Sequence, residues 1–235
     1  MRRILLVVIV LSLTAPIAAQ QLTGSQLLEK AIAYHDPNNQ WSTFKGDLQV
    51  TMETPDASKR TSSIFLDLPN SQFDLKVSKD GDSYGYTIKN DSCEISLNGS
   101  TTISEADKEK FRLSSERGKM YRNYYTYLYG LPMKLQDKGT LVHEKVERKT
   151  FKSKEYLVLK VDYNPEVGKD TWYFYFDPNT FAMEVYQFYH DESKNDGEYI
   201  LLSGMEEING IKMPKTRKWY YNKDDKYLGT DILEN

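Results

Sequence analysis

Apolar and polar residues alternate along most of the chain after residue 44. The segments 48–52, 73–77 and 157–163 place an apolar side chain at every second position. This period of two is typical of β-strands with one buried face. Asp80-Gly81 and Asn209-Gly210 lie between such segments and have the composition of tight hairpin turns. The pattern predicts about ten strands, spaced so closely in the second half that neighbouring strands must pair antiparallel.

Two segments break this alternation and predict helices. Thr23 with Gln26 three residues later is a capping box, and apolar residues then recur at helical spacing up to Asp36-Pro37. A second helical region, of one or two helices, is predicted over residues 104–129, where Ser104 supplies a cap. The expected fold class is mainly β with helices (α+β), with a single antiparallel sheet whose inner face the helices cover.

The N-terminus has the order of a secretory signal peptide. Two arginines precede the apolar run 4–13, and small residues follow up to Ala19. The run is shorter than the roughly 20 apolar residues that a membrane-spanning helix needs. We therefore expect a signal peptide over residues 1–19, one domain over residues 20–235, and a soluble protein exported to the periplasm.

The sequence offers little for catalysis. The three histidines have no metal-ligand spacing, the single cysteine, Cys93, excludes a cysteine zinc site, and neither a Gly-x-Ser-x-Gly elbow nor a phosphate loop is present. The 31 basic and 34 acidic residues argue against a nucleic-acid partner. We expect no catalytic residue, no metal and no cofactor. A hydrolase with dispersed carboxylates is the weakest alternative, because such pairs have no fixed spacing.

Aromatic residues are the unusual feature, at 13% of the chain. Cross-strand packing explains aromatics in any sheet. The sharper hypothesis is that some of them line an apolar ligand cavity. Five tyrosines in residues 121–129 exceed what one helical stripe can bury, so several should lie at a half-wet boundary. The candidate ligand-binding residues are Trp172, Phe174, Phe176, Tyr124, Tyr125, Leu128 and Trp219.

Three motifs resemble the outer-membrane lipoprotein carrier (LolA/LolB-like) superfamily. They are the hairpin 174–185 with its Asp177-Pro178 turn, the late hairpin 209–214, and the segment 124–132, which is closer to an uncharacterised secreted bacterial branch. The resemblance implies an open half-barrel whose concave face encloses a cavity for acyl chains. The functional arginine of the carriers has no matching position here.

These observations predict a periplasmic, non-enzymatic binding or carrier protein for a hydrophobic ligand such as a lipid or lipoprotein acyl chain. A membrane or envelope protein partner is left open. The alternative is a secreted structural or protein-interaction module whose core is filled by its own side chains and which holds no ligand.

Overall fold

The computed structural model describes residues 22–234, and twelve strands and three α-helices lie in this range. The predicted signal peptide falls outside the described residues. The helices are α1 (Gly24–His35), α2 (Glu105–Phe111) and α3 (Ser115–Gly130), with short 3-10 helices at Trp41–Thr43, Met133–Gln136 and Glu192–Lys194. The strands are β1 (Lys45–Thr54), β2 (Ala57–Asp67), β3 (Gln72–Lys79), β4 (Asp82–Lys89), β5 (Ser92–Leu97), β6 (Thr140–Phe151), β7 (Lys154–Tyr163), β8 (Thr171–Phe176), β9 (Met183–Tyr189), β10 (Glu198–Ile208), β11 (Ile211–Tyr221) and β12 (Tyr227–Glu234).

All twelve strands form one antiparallel sheet, in the order β5-β4-β3-β2-β1-β12-β11-β10-β9-β8-β7-β6. Pairing of β1 with β12 joins two meanders, one on either side of the helical region. The two outer strands, β5 and β6, do not pair with each other, so the sheet stays open. The predicted fold class is confirmed, with twelve strands in place of about ten. Strand β4 is not among the predicted strands.

Helix α1 forms where the capping box predicts it. The Thr23 hydroxyl accepts a hydrogen bond from the backbone N–H of Gln26, and the Gln26 side chain accepts one from the backbone N–H of Thr23. Leu27, Leu28 and Ala31 are buried against the sheet. The helix ends at Asp36, whose carboxylate accepts the backbone N–H groups of the next turn and thus fixes the entry into β1.

The predicted helical region 104–129 consists of two helices. The hydroxyl of Ser104 caps α2 and that of Ser114 caps α3, and Arg112 between them adopts a left-handed backbone conformation with φ of 53°. Helix α3 turns Tyr121, Tyr125 and Tyr129 toward the sheet, where all three are buried. It therefore packs across the concave face and closes much of it.

The main core lies between the concave face of the sheet and the helices. Phe174 and Phe176 on β8 belong to it, whereas Tyr175 on the same strand joins a smaller apolar cluster on the opposite face. The alternation along β8 thus assigns its two faces correctly. Within residues 22–234, none of the helices is both long enough and apolar enough to span a bilayer.

Candidate functional site

An open groove of about 910 Å³ lies beside helix α3. One wall comes from the β2–β3 hairpin, one from the exposed side of α3, and one from the segments that lead into β6 and β8. The lining residues are Leu66, Asp67, Leu68, Ser71, Gln72, Phe73, Met120, Arg122, Asn123, Tyr124, Thr126, Tyr127, Lys134, Asp137, Lys138, Thr140, Tyr163, Val167, Gly168, Asp170 and Trp172.

Aromatic contacts fix the wall formed by β8. The ring of Trp172 stacks on Phe188 with 4.8 Å between centroids and meets the ring of Tyr127 edge-on at 5.6 Å. The phenol oxygens of Tyr127 and Tyr163 are 2.6 Å apart and share a hydrogen bond. This hydrogen bond orients the two tyrosines, so their rings present an ordered, largely apolar surface.

Helix α3 contributes apolar side chains that stay open to the groove. Met120 is 52% exposed and Tyr124 is 37% exposed, although both lie on a helix that packs inside the curve of the sheet. The surrounding protein nevertheless raises the pKa of the Tyr124 phenol well above its usual value through desolvation. Tyr124 therefore lies at a half-wet boundary, as the density of tyrosines predicts for part of the cluster, whereas Tyr121, Tyr125 and Tyr129 are buried.

Charged groups line the rim of the groove, and most are paired. Asp67 forms an ion pair with Lys45 at 3.0 Å, and Asp170 accepts a hydrogen bond from His190 at 2.7 Å. Lys134 pairs with Asp137 one helical turn later. The rim is thus polar and the interior apolar, which is the usual anatomy of a pocket for an apolar ligand.

A second cavity, of about 280 Å³, lies next to the groove. Tyr124 lines both, so the two are adjacent. The other lining residues are Met52, Thr54, Glu198, Trp219, Leu228, Gly229, Thr230 and Asp231. The indole Nε1 of Trp219 donates a hydrogen bond to Oδ2 of Asp231 at 3.1 Å. Burial raises the pKa of both Asp231 and Glu198.

The structure separates the seven candidate ligand-binding residues into two groups. Trp172 and Tyr124 line the groove, and Trp219, with Tyr124 again, lines the second cavity. The other four pack inside the core with exposed fractions of 3% or less, namely Tyr125, Leu128, Phe174 and Phe176. Tyr125 also donates a hydrogen bond from its hydroxyl to the Ser62 hydroxyl at 3.0 Å, which ties α3 to β2.

Arg217 is a buried residue that the sequence reading overlooked. Only 1% of its surface is exposed, and its guanidinium carbon lies 4.0 Å from the centroid of the Tyr129 ring. It donates hydrogen bonds to the carbonyl oxygens of Pro214 at 2.8 Å and Leu128 at 3.3 Å, and so links β11 to helix α3. Its position could have been inferred, because it has the same parity as the buried Ile211 and Met213 on β11.

The polar chemistry of the described residues gives no metal centre. Within residues 22–234, no group of three or more histidine, cysteine or acidic side chains is placed to hold a metal ion. His35 is buried, with both ring nitrogens bonded to the backbone. Cys93 is a half-buried free thiol beside helix α3. What the arrangement offers chemically is an apolar groove with an acidic, aromatic side cavity.

Solved structures with a similar fold were found by comparison. A LolA superfamily protein from Nitrosomonas europaea superposes with a TM-score of 0.53 over 92% of this chain and 93% of its own, at 11% identity. A DUF1329 family protein from Desulfovibrio piger superposes with a TM-score of 0.50 over 92% of both chains, at 10% identity. These similarities confirm the LolA-like fold. Comparison with curated proteins gave no match. The model of a family of unknown function, DUF6503, matches residues 2–235, and the chain therefore belongs to that family.

Proposed function

We propose that this protein is a non-enzymatic carrier that binds a lipid-like apolar chain in the groove beside helix α3. The observation that carries the proposal is the groove itself, which combines about 910 Å³ of volume with a wall of leucine, methionine and aromatic side chains. Ligand pockets of roughly 300–1,000 Å³ are typical, and they are lined mainly by apolar groups with few polar ones.

The groove walls are built before any ligand arrives. The contacts of Trp172 with Phe188 and Tyr127 hold the ring in place, and the hydrogen bond between the hydroxyls of Tyr127 and Tyr163 orients both of those rings. Such preorganisation favours binding because less side-chain freedom is lost when the ligand enters. The LolA-like fold supports the same conclusion by analogy only, since folds host unrelated functions.

Export to the periplasm is part of the proposal. Its support is the basic, apolar and small-residue order of residues 1–19, which is that of a secretory signal peptide. A carrier for lipid-like chains would work in that compartment between membranes, and an envelope partner would receive the ligand. Fractionation of cells that express the full chain tests the location: recovery of the protein in the cytoplasm with its first residues intact would contradict export.

The binding test uses a fluorescent fatty acid and native mass spectrometry of gently purified protein. We expect co-purified lipid and saturable uptake of the probe by the wild type. Met120→Glu places a charge on the wall of the groove at a site that is 52% exposed, so it should weaken uptake at least tenfold without unfolding the protein.

The matched control is Leu141→Glu. Leu141 is 48% exposed and lies on β6, outside the lining of the groove. The same change of charge should leave uptake within about twofold of the wild type. Equal losses in the two variants, or a wild type with neither bound lipid nor uptake, would refute the carrier function.

One observation favours the alternative, a secreted interaction module. Four of the seven predicted ligand-binding residues, among them Phe174 and Phe176, are buried in the core and line neither the groove nor the second cavity. A filled core is what that alternative expects. It would be supported if the wild type took up no probe while an affinity-purified envelope protein bound it with a saturable isotherm.

A further inference from the structure

The second cavity combines two aromatic rings with two carboxylates. Tyr124 and Trp219 supply the rings, and Glu198 and Asp231 supply the acids. None of its lining residues in the described part of the chain is a lysine, arginine or histidine. The cavity therefore has the opposite character to the rim of the groove, where acidic groups are paired with basic ones.

The two acids of this cavity have no ion-pair partner among residues 22–234. Asp231 is only 6% exposed and accepts a hydrogen bond from Trp219, whereas the Glu198 carboxylate takes part in no hydrogen bond of the described residues. Arg217 and Arg60 lie near enough to lower the pKa of Asp231, but burial outweighs them and the pKa is raised. Burial disfavours the charged form of these two acids more than their basic neighbours favour it, so a positively charged guest in the cavity would stabilise the ionised carboxylates.

The aromatic side of the cavity suits a particular kind of cation. Trp219 is half-buried on the concave face, and its cross-strand partner is Gly229, which has no side chain to cover the indole. Tyrosine and tryptophan faces attract organic ammonium groups, and tryptophan does so most strongly. A metal ion would need a set of convergent ligands, and no such set was found among residues 22–234.

We propose that the second cavity binds an organic ammonium group, the head of a ligand whose apolar chain lies in the groove. The proposal rests on the carrier function, and it names the class of ligand carried. Tyr124 lines both cavities, so a chain in the groove can present its head to Trp219, Glu198 and Asp231. The carboxylates neutralise the charge and the two rings cover its methyl or methylene groups.

The test compares three probes that carry a twelve-carbon chain and differ in the head: dodecyltrimethylammonium and dodecanoate, each below its micellar concentration, and dodecanol below its solubility limit. Their binding is measured by displacement of an uncharged naphthylamine fluorophore. We expect the ammonium probe to displace the fluorophore at least tenfold more effectively than the other two. Equal displacement by all three would overturn the ammonium assignment and leave the carrier function standing, whereas displacement by none would refute the carrier function itself.

Three variants test whether the preference for the ammonium probe arises in the second cavity. Glu198→Gln removes one charge at a half-buried site and should reduce the advantage of the ammonium probe to less than threefold, while dodecanol binds as before. Trp219→Leu should also reduce the advantage of the ammonium probe. Glu207→Gln changes an exposed acid on the same strand and should leave the advantage intact. If Glu198→Gln and Glu207→Gln behaved alike, the head group would not lie in this cavity.

Discussion

The side chain of His35 ties the end of helix α1 to two strands. Its Nε2 accepts the backbone N–H of Met183 at 3.0 Å, so the ring proton is on Nδ1, which donates to the carbonyl oxygen of Lys212 at 2.7 Å. The ring is fully buried, and burial is the largest of the effects that lower its pKa to about 4. His35 is therefore a neutral structural element that holds α1 against β9 and β11.

Protonation of His35 should destabilise the fold in mild acid. Because the pKa is lowered from 6.5 to about 4 in the folded protein, the unfolded chain binds more protons between these values. The stabilisation of the folded state by neutral His35 is fully present above pH 6.5. It is lost as the pH falls toward 4, and the total loss is about 3 kcal/mol. We expect the free energy of unfolding in urea to be higher for the wild type than for His35→Gln at pH 7.5. This difference should shrink by about 3 kcal/mol when the pH is lowered to 4. Parallel pH profiles for the two proteins would contradict it.

Gly118 allows α3 to approach the sheet. A Cβ at this position would lie 2.7 Å from Cδ1 of Tyr86 and 2.9 Å from Sγ of Cys93. Inside a helix, alanine is more favourable than glycine by about 1 kcal/mol. Overpacking of a buried contact, however, costs about 1–3 kcal/mol. Gly118→Ala should therefore lower the melting temperature despite its higher helix propensity.

Two further variants check the cause of that loss. Gly168→Ala places its Cβ 3.6 Å from Tyr163, an ordinary contact, and should leave the melting temperature nearly unchanged. Cys93→Ala removes one of the two clashing atoms, so it should restore part of the stability when combined with Gly118→Ala. If the double variant melted no higher than Gly118→Ala alone, the packing argument would fail.

The sequence predicts the strands and their faces because side-chain alternation is a local property. Phe174 and Phe176 point into the main core and Tyr175 to the other face, as the period of two requires. The same parity places Arg217 inward, which the sequence reading missed because a buried arginine is rare. Strand β4 was missed although Tyr84, Tyr86 and Ile88 alternate with the smaller residues Ser83, Gly85 and Thr87.

The location of free space could not be predicted from the sequence. Phe174 and Trp172 share one face of β8, yet the first is fully buried and the second lines the groove. The difference depends on where α3 crosses the sheet, and that depends on long-range contacts such as Tyr125 to Ser62, 63 positions apart. Periodicity specifies a face, but it does not specify what packs on that face.

Trp172 provides a test that separates stability from binding. Trp172 is half-buried, so its truncation to alanine should destabilise the protein less than the about 3–5 kcal/mol typical of fully buried aromatics. It should nevertheless abolish an aromatic wall of the groove and reduce uptake of the fatty-acid probe several-fold. Urea unfolding and probe titration on the same preparation give the two quantities.

The matched core change is Phe174→Leu. Phe174 is fully buried and does not line the groove, so this variant should lose stability while its uptake stays near that of the wild type. Loss of uptake in proportion to stability in both variants would mean that Trp172 acts only through packing, and would count against its role at the ligand.

Arg217 should be among the most sensitive positions for stability. Its replacement by methionine keeps the apolar stem but removes the donors that satisfy the carbonyl oxygens of Leu128 and Pro214. A buried acceptor left without a donor costs about 1–3 kcal/mol, and the contact with the Tyr129 ring is lost as well. The free energy of unfolding in urea should fall by at least that amount.

The control is Arg148→Met, which removes an arginine that pairs with Glu155 on the surface, where both side chains are more than half exposed. Exposed ion pairs contribute about 0–1 kcal/mol, so this variant should be close to the wild type. Arg217 is also a positive neighbour of the buried Asp231. Burial raises the pKa of Asp231, and Arg217 lowers it. In Arg217→Met the buried acid Asp231 has lost a positive neighbour. Adding Asp231→Asn removes that acid, so the double variant should recover part of the lost stability. A double variant whose loss of stability equals the sum of the two single losses would show that Asp231 does not depend on Arg217.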